Sequence, residues 1–425
     1  MGPQHPSTHG VLRLVLELDE ETITAQKIYN NSNKMNKTHQ MTLNMGPQHP
    51  STHGVLRLVL ELDGETITAC EPHIGYLHRG IEKLAESKTY HQFLPITDRL
   101  DYVSAPSNNL AYCLTVEKLA GLEIPKRASY IRMIIVELSR IVSHLVWLGT
   151  HALDIGAYTV FLYTFREREA ILDIFESYCG ARLTTTCFRI GGVPYDLDDG
   201  LKKRIADFIK IFPKKIQEYE GLLTKNPIWL KRTQNVGIIS KEAAISYGLT
   251  GPSLRGCGID RDIRKTNPYS CYNEVEFVAA KGRGVGDVYD RYLVRLQEMR
   301  ESCKIISQAL EGFPDLPIMA NCPKIIPPEK ERVKTEITSL IHHFHIMTEG
   351  FELPRGEAFM SIEAPKGELG FYIVSNGGNK PYRLRIRTPS FANLSCISEI
   401  GKGAMIADMV AIIGSLDIVL GEIDR

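Results

Sequence analysis

The most unusual string in the chain is Gly46-Pro47-Gln48-His49-Pro50-Ser51-Thr52-His53-Gly54. Two prolines and two glycines in nine residues hold a stiff loop that carries two imidazoles. Histidine titrates nearest to neutrality, so such a loop suits donation of hydrogen bonds or protons to a bound molecule. The alternative is a tight turn whose imidazoles bond to the backbone. Pro72-His73-Ile74-Gly75-Tyr76-Leu77-His78-Arg79-Gly80 sets two further histidines five apart. Metal-binding pairs on a helix sit about three or four apart, so this spacing makes a weak case for a metal. His342-His343-x-His345 falls inside a helical pattern, where adjacent positions point to different faces, and a solvated, helix-capping role is favoured over ligation.

Two glycine-rich strings invite a phosphate-binding reading. Gly282-Arg283-Gly284-Val285-Gly286 precedes a helical run, but it lacks a preceding buried strand and the G-x-G-x-x-G spacing of a dinucleotide fold. Gly256-Cys257-Gly258 fails the same test. Both read as turns, and no nucleotide is expected on this chain. Arg383, Arg385 and Arg387 share one face of a strand pattern, which implies a salt-bridged or partner-facing surface and no reaction by itself.

The bulk properties limit what these groups can mean. The 425 residues balance 50 lysines and arginines against 50 aspartates and glutamates, so no global field favours nucleic acid or anionic lipid. Nine cysteines, none in a C-x-x-C pair, suit a reducing compartment with buried thiols and argue against an iron–sulfur or zinc site held by this chain alone. There is no apolar signal core and no arginine-rich transit pattern at the start. The most apolar long stretch, Tyr130 to Gly149, contains Arg132, Glu137 and Arg140, which are too costly for a bilayer span. A soluble chain with at most peripheral membrane contact is expected.

The elements that must position the loops follow from periodicity. Met1–Asp19 recurs unchanged as Met45–Asp63. A single near-exact duplication is not a solenoid, which needs several stacked repeats. In the second copy Leu56, Leu58, Leu60 and Leu62 fall on one strand face, and Asp63-Gly64 offers a hairpin turn with residues 65–70 returning. The first copy has Asp19-Glu20, which suits that turn poorly, and runs into Gln26–Asn44, rich in Asn, Lys and Thr like a flexible linker. Residues 1–44 therefore read as a loosely ordered duplicated segment with a linker, and 45–425 as the folded domain. Helical spacing recurs from Ala128 through Leu145, over Val160–Tyr178, Asp287–Leu310 and Glu329–Glu349. A period of two returns over Glu368–Ser375 and Tyr382–Thr388, around Asn376-Gly377-Gly378. The expected class is α+β: a central helical bundle with small antiparallel sheets from the N- and C-terminal segments. Composition and spacing reach that far and name no reaction.

Several strings taken in order carry a resemblance. Gly46-Pro47-Gln48-His49-Pro50, Pro72-His73-Ile74-Gly75, Asp98-Arg99-Leu100-Asp101-Tyr102, Phe165-Arg166-Glu167-Arg168-Glu169, Glu363-Ala364-Pro365-Lys366-Gly367-Glu368 and Gly421-Glu422-Ile423-Asp424-Arg425 resemble the D-type, or 49 kDa, subunits of respiratory complex I, the NADH:quinone oxidoreductase. The resemblance covers roughly residues 42–425. It implies a fold like the large subunit of nickel–iron hydrogenases, with which the family shares ancestry. Those enzymes hold nickel and iron on a cysteine pair near each end of the chain. Here the corresponding places carry His73…His78 and Asp424-Arg425, so no soft-metal site is expected. The vacated cavity is where the family binds the quinone headgroup.

The family reading implies a proton-translocating enzyme in which this chain and the small cluster-bearing B-type subunit form the pocket where quinone is reduced. Electrons arrive from NADH through FMN and iron–sulfur clusters on partner subunits, and quinone is substrate. The remaining implied partners are the C-type and other peripheral-arm subunits and the H-type membrane subunit, with no nucleic acid. By the same resemblance Tyr102 donates to one quinone carbonyl, and His53, paired with Asp154, serves the other. Ser51 and His49 line the pocket. Arg99 lies near the partner's terminal cluster. The family often carries a histidine near that cluster, shortly before an Arg-Ile-Gly-Gly string. Thr184 aligns with it here, so a pH-dependent cluster potential is not implied, while quinone reduction is. The implied location is peripheral, on the cytoplasmic side of a bacterial inner membrane or the matrix side of a mitochondrial one. Two competing readings remain, a hydrogenase-related large subunit and a structural assembly module. The first would contain nickel, and the second would be indifferent to loss of the Tyr102 hydroxyl.

Overall fold

The computed structural model describes residues 16–19, 22–26, 40–52 and 54–425. Three small antiparallel sheets and a helical bundle make up an α+β architecture. Strands β1 (Leu16–Asp19) and β2 (Thr22–Gln26) pair with each other, and β3 (Gln40–Met45), β4 (Arg57–Asp63) and β5 (Thr66–His73) form the second sheet in that order. Helices α1 (Ile81–Ala85), α2 (Tyr90–Thr97), α3 (Ala105–Ala120), α4 (Lys126–Asp154), α5 (Tyr158–Cys179) and α6 (Asp199–Leu223) follow. Four short helices, α7 (Pro227–Thr233), α8 (Lys241–Ser246), α9 (Gly251–Gly256) and α10 (Ile263–Thr266), lead to the long α11 (Val288–Glu311). After α12 (Lys330–Thr335) and α13 (Ile337–Thr348) come β6 (Gly356–Ala364), β7 (Gly367–Ser375) and β8 (Arg383–Arg387). The last helices are α14 (Pro389–Ser395), α15 (Ile397–Ile400), α16 (Ile406–Leu416) and α17 (Leu420–Ile423).

The leucine alternation of the second repeat copy is realised: Leu56, Leu58, Leu60 and Leu62 are all buried, in a core shared with α16 and α17. The hairpin turn is one residue later than expected. Asp63 pairs with Thr66, so Gly64 and Glu65 make the turn, and only Gly64 takes a positive φ, at 62°. Glycine at the first central position is what a type II′ turn requires. The sheet also gains a strand that the composition concealed. Residues 40–44, expected in a linker, form most of β3, which covers the open edge of β4 from Gln40↔Asp63 to Met45↔Leu58. Unpaired strand edges favour such pairing, and Met45 turns inward to seal it. The expected boundary between 44 and 45 thus falls within a strand.

In the first repeat copy β1 pairs antiparallel with β2, from Leu16↔Gln26 to Asp19↔Thr22. Its register shift between Glu17 and Leu18 repeats the one between Glu61 and Leu62. Because β3 begins at Gln40, we expect a chain lacking residues 1–39 to fold and to unfold thermally as the full-length chain does. A lower melting temperature in that truncation would assign the first copy a structural role.

The four expected helical runs appear, with one correction. Glu329–Glu349 is broken at Glu336, whose φ of −120° and ψ of 122° are extended and separate α12 from α13. Helices α3 and α6 were not singled out from the sequence. Helix α4 is buried on nearly every side along its middle, where the charges of Arg132, Glu137 and Arg140 lie inside the protein. Arg132 pairs with Glu117 at 2.6 Å, and Arg140 with Glu137 at 3.2 Å. At the C-terminal end, β6 was not singled out. It forms a tight hairpin with β7 through Pro365 and Lys366, and β7 pairs with β8. The arginine stripe on β8 is salt-bridged as anticipated, Arg383 to Glu86 at 3.1 Å and Arg385 to Glu82 at 2.8 Å. Among the described residues no helix is long and apolar enough to cross a membrane.

Candidate functional site

The loop after β3 folds as its composition suggests. Gly46 has a φ of 84°, and a Cβ there would run into the Leu56 carbonyl. Pro50–Thr52 forms a single 3-10 turn, closed by the Thr52 hydroxyl donating to the His49 carbonyl at 2.7 Å. His49 Nδ1 accepts from the Ser51 N–H at 3.2 Å, so this imidazole is backbone-bound and its Nε2 is left for other work. His53 lies outside the described residues, and its expected pairing with Asp154 lies there with it. Asp154 is the last residue of α4 and half-buried. Helix α16 packs against both the Pro50–Thr52 turn and α4, and so gives the two a common floor. Near the end of α4 that contact is close: the Trp147 indole N–H donates to the Gly414 carbonyl at 2.6 Å.

Tyr102 stands on the turn between α2 and α3, with 39% of its surface exposed. Asp101 organises that turn. Its Oδ1 accepts from the Val103 N–H at 3.1 Å, and its carbonyl accepts from Asn108 Nδ2 at 3.0 Å. Its Oδ2 meets Lys366 Nζ at 3.0 Å. Burial and the neighbouring Asp101 push the Tyr102 hydroxyl above the usual phenol range, while Lys366 and Arg79 pull it back. The phenol is therefore protonated at neutral pH and able to donate. Gly421 packs directly on it: a Cβ there would lie 2.6 Å from the Leu100 carbonyl oxygen and 3.3 Å from Tyr102 Cδ1. Under the family resemblance, Gly421→Ala, which displaces the turn, is expected to lower quinone-dependent NADH oxidation about tenfold or more, since about 1 Å of misplacement can cost a hundredfold. Electron transfer to an artificial acceptor at the flavin end should be unchanged. Equal retention of both activities would show that the close packing is immaterial.

The two chain regions that matter in the hydrogenase comparison meet here. Asp424 accepts from the Gly75 N–H at 2.9 Å and the Leu77 N–H at 2.7 Å, and its carbonyl lies 2.6 Å from His78 Nδ1. Arg79 donates to the Arg99 carbonyl at 2.8 Å and to the Gly421 carbonyl, tying the Tyr102 turn to the end of the chain. Next to them, a cavity of about 410 Å³ is lined by Ile74, His78, Arg383, Phe391 and Asp424 among others. No group of three or more potential metal ligands occurs among the described residues.

Arg99 and Thr184 are both exposed, and Asp98 brings their loops together. Asp98 Oδ2 accepts from the Thr186 N–H at 2.9 Å and the Thr186 hydroxyl at 2.6 Å, holding Thr186 at a φ of 38°. A β-branched residue in that region marks a locally over-determined loop. The glycine strings are turns that pack on each other: a Cβ on Gly282 would lie 2.7 Å from the Gly256 carbonyl oxygen. The N–H groups of Arg283, Val285 and Gly286 are taken by Asp290, so the chain's own carboxylate fills the place an anion would need. His345 pairs with Glu349 one turn along α13, at 3.2 Å.

Spacing missed Asp98, Asp101 and Lys366 as parts of the site. The signal was there for Lys366, a cation at the tip of a two-residue turn next to a glycine. For Asp101 there was none, because its cation lies 265 positions away, and Asp98 meets Thr186 only 88 positions on.

The family described as "Respiratory-chain NADH dehydrogenase, 49 Kd subunit" matches residues 154–425. A protein of Geotalea uraniireducens strain Rf4, named as the D subunit of NADH-quinone oxidoreductase, is 59% identical over 425 residues, covering 100% of this chain and 97% of the relative. One of the same name from Geobacter metallireducens is 58% identical with the same coverage. The D 2 subunit of NADH-quinone oxidoreductase from Chloroflexus aurantiacus is 54% identical over 428 residues, covering 100% of this chain and 93% of that one. With its α+β architecture and with relatives matched along its whole length, the chain belongs to the 49 kDa subunit family of the respiratory-chain NADH dehydrogenase.

Proposed function

We propose that this chain is the quinone-site subunit of a proton-translocating NADH-quinone oxidoreductase, active only within the assembled complex. Quinone is its substrate, and FMN and the iron–sulfur clusters are held by partner subunits. The small cluster-bearing B-type subunit completes the pocket, and the C-type subunit, other peripheral-arm subunits and the H-type membrane subunit are its further neighbours. The chain sits peripherally on the cytoplasmic side of a bacterial inner membrane.

Reduction of a quinone adds two electrons and two protons, and its carbonyl oxygens need donors as negative charge develops. Tyr102 donates to one carbonyl. His53, paired with Asp154, donates to the other, and the carboxylate favours its charged imidazolium form. His49 and Ser51 line the headgroup. Arg99 and Thr184 face the partner's terminal cluster, where the guanidinium favours the reduced state. The observation that carries this reading is Tyr102 itself: a partly exposed phenol, held protonated, on a turn fixed by the buried Asp101–Lys366 pair. The test is NADH oxidation in membranes carrying Tyr102→Phe, with quinone and with an artificial acceptor at the flavin end. Only the quinone reaction should fall.

A further inference from the structure

Lys366 sits at a hairpin tip, yet its ammonium is buried. Nζ lies 3.0 Å from Asp101 Oδ2, 3.0 Å from Ser143 Oγ and 3.9 Å from Asp417 Oδ1. A third carboxyl, Glu422 on α17, is buried beside this pair, its Oε1 accepting from the Ser390 N–H at 2.8 Å. The charged groups facing Glu422 are Asp101 from the turn before α3, Lys366 from the β6–β7 tip and Arg387 from β8. Arg387 is engaged elsewhere, donating to the carbonyls of Glu368 and Gly248 with Glu368 Oε2 at 3.7 Å. Among the described residues no cation lies within 4.0 Å of Glu422. Lys366 thus pairs with Asp101 and shares the partly buried Asp417 with Arg295, whose Nε lies 3.8 Å from it, and Glu422 has no cation to itself.

A buried carboxyl beside another carboxylate keeps its proton, because neither burial nor a like charge tolerates ionisation. Burial and Asp101 push the Glu422 carboxyl up to about 7, against the pull of Lys366. Its position gives that proton a use. Gly421, the preceding residue, packs against the Tyr102 ring, and Asp101 is Tyr102's neighbour in the chain. The acid therefore hangs from the same junction that seats the phenol.

We propose that Glu422, Asp101 and Lys366 form a proton store that reloads Tyr102 after it has donated to the quinone, an inference that rests on the reading of Tyr102 as that donor. The quinone takes two electrons from the partner's iron–sulfur carriers. The Tyr102 O–H bond breaks as an O–H bond forms on the quinone oxygen, leaving a phenolate flanked by Lys366 and Arg79. The Glu422 O–H bond then breaks, and its proton passes along the Asp101–Lys366 pair to the phenolate. Glu422 remains as a carboxylate until water returns a proton to it. Glu422 supports the reaction through Tyr102 and does not touch the substrate.

The test is the pH profile of quinone-dependent NADH oxidation in membranes from about pH 6 to about pH 8.5, divided by the artificial-acceptor rate. The native complex should slow as pH rises through about 7. Glu422→Gln should be about tenfold slower near pH 6, a modest fraction of what a general acid contributes, and should lose that alkaline fall. Glu422→Asp should keep the fall but at a displaced pH. A native profile in Glu422→Gln, with Tyr102→Phe inactive, would overturn the store and leave the Tyr102 reading standing. Full quinone activity in Tyr102→Phe would overturn both. If Glu422→Gln fails to assemble, Glu422→Asp decides, and an unshifted profile there rejects the store.

Discussion

Replacing Tyr102 by phenylalanine should lower quinone-dependent NADH oxidation by about a hundred- to a thousandfold, the cost of losing one transition-state donor at about 3–4 kcal/mol. The substitution keeps the ring and so preserves its packing against Gly421, while removing the hydroxyl that Lys366 and Arg79 influence. Asp154→Asn should do less, because an amide can still hold an imidazole but no longer favours its charged form. The measurement is the rate in membranes with a soluble quinone, alongside electron transfer to an artificial acceptor at the flavin end. Retained acceptor activity shows that the complex is assembled and electrons still enter it. A parallel loss of both rates would place the defect in assembly. Undiminished quinone reduction would mean that another group donates the proton.

The second large effect is expected far from that site, at Glu137. Although burial pushes this carboxyl up, Arg140 and Arg264, with Ser302 and Tyr272, hold it at about 2. Its oxygens take Arg140 Nε at 3.2 Å, Arg264 Nη1 at 3.1 Å, the Tyr272 hydroxyl at 2.6 Å and the Ser302 hydroxyl at 2.6 Å. Glu137→Ala would take the shared carboxylate from two buried guanidiniums, leaving Arg264 with Asp262 and Arg140 with the Glu363 carbonyl, and would leave the Tyr272 and Ser302 hydroxyls without that acceptor. Breaking a buried pair from one side costs about 3–5 kcal/mol, a large part of a domain's stability. The chain should fail to accumulate in assembled complexes, or the complex should unfold at a markedly lower temperature on native gels after heating. Removing Glu336, the exposed partner of Arg332, should leave both readouts unchanged. Native amounts and heat resistance in Glu137→Ala would show that the remaining partners of Arg140 and Arg264 suffice.

Local patterns revealed the parts of this molecule whose partners are close in the chain. The leucine alternation of β4 and the amphipathic runs of α5 and α11 are written in windows of a dozen residues, and the hairpin was off by one turn position only. Strand β3 was hidden because polar Asn and Thr on an edge strand look like linker composition; its reason for forming is the vacant edge of β4. The break at Glu336 was hidden because apolar spacing continues across it. At the site, residue types marked the His49 loop, but nothing local distinguishes Asp101 or Glu422 from any surface acid. Their importance comes from Lys366, which reaches Asp101 across 265 positions.

That separation bears on how the chain folds. The backbone N–H groups of Gly75 and Leu77 find Asp424 across 349 and 347 positions, and Arg79 finds Gly421 across 342. Contacts that enclose so much intervening chain carry a large loop-closure entropy and form only after shorter-range structure has shortened the path. The helices between them, α4 against α5 and α11, must therefore dock first. The junction around Tyr102 is then the last part to close and, by the same logic, among the first to open. Amide hydrogen exchange should be faster at Gly75 and Leu77 than along the middle of α4, making this junction the kinetically youngest part of the fold.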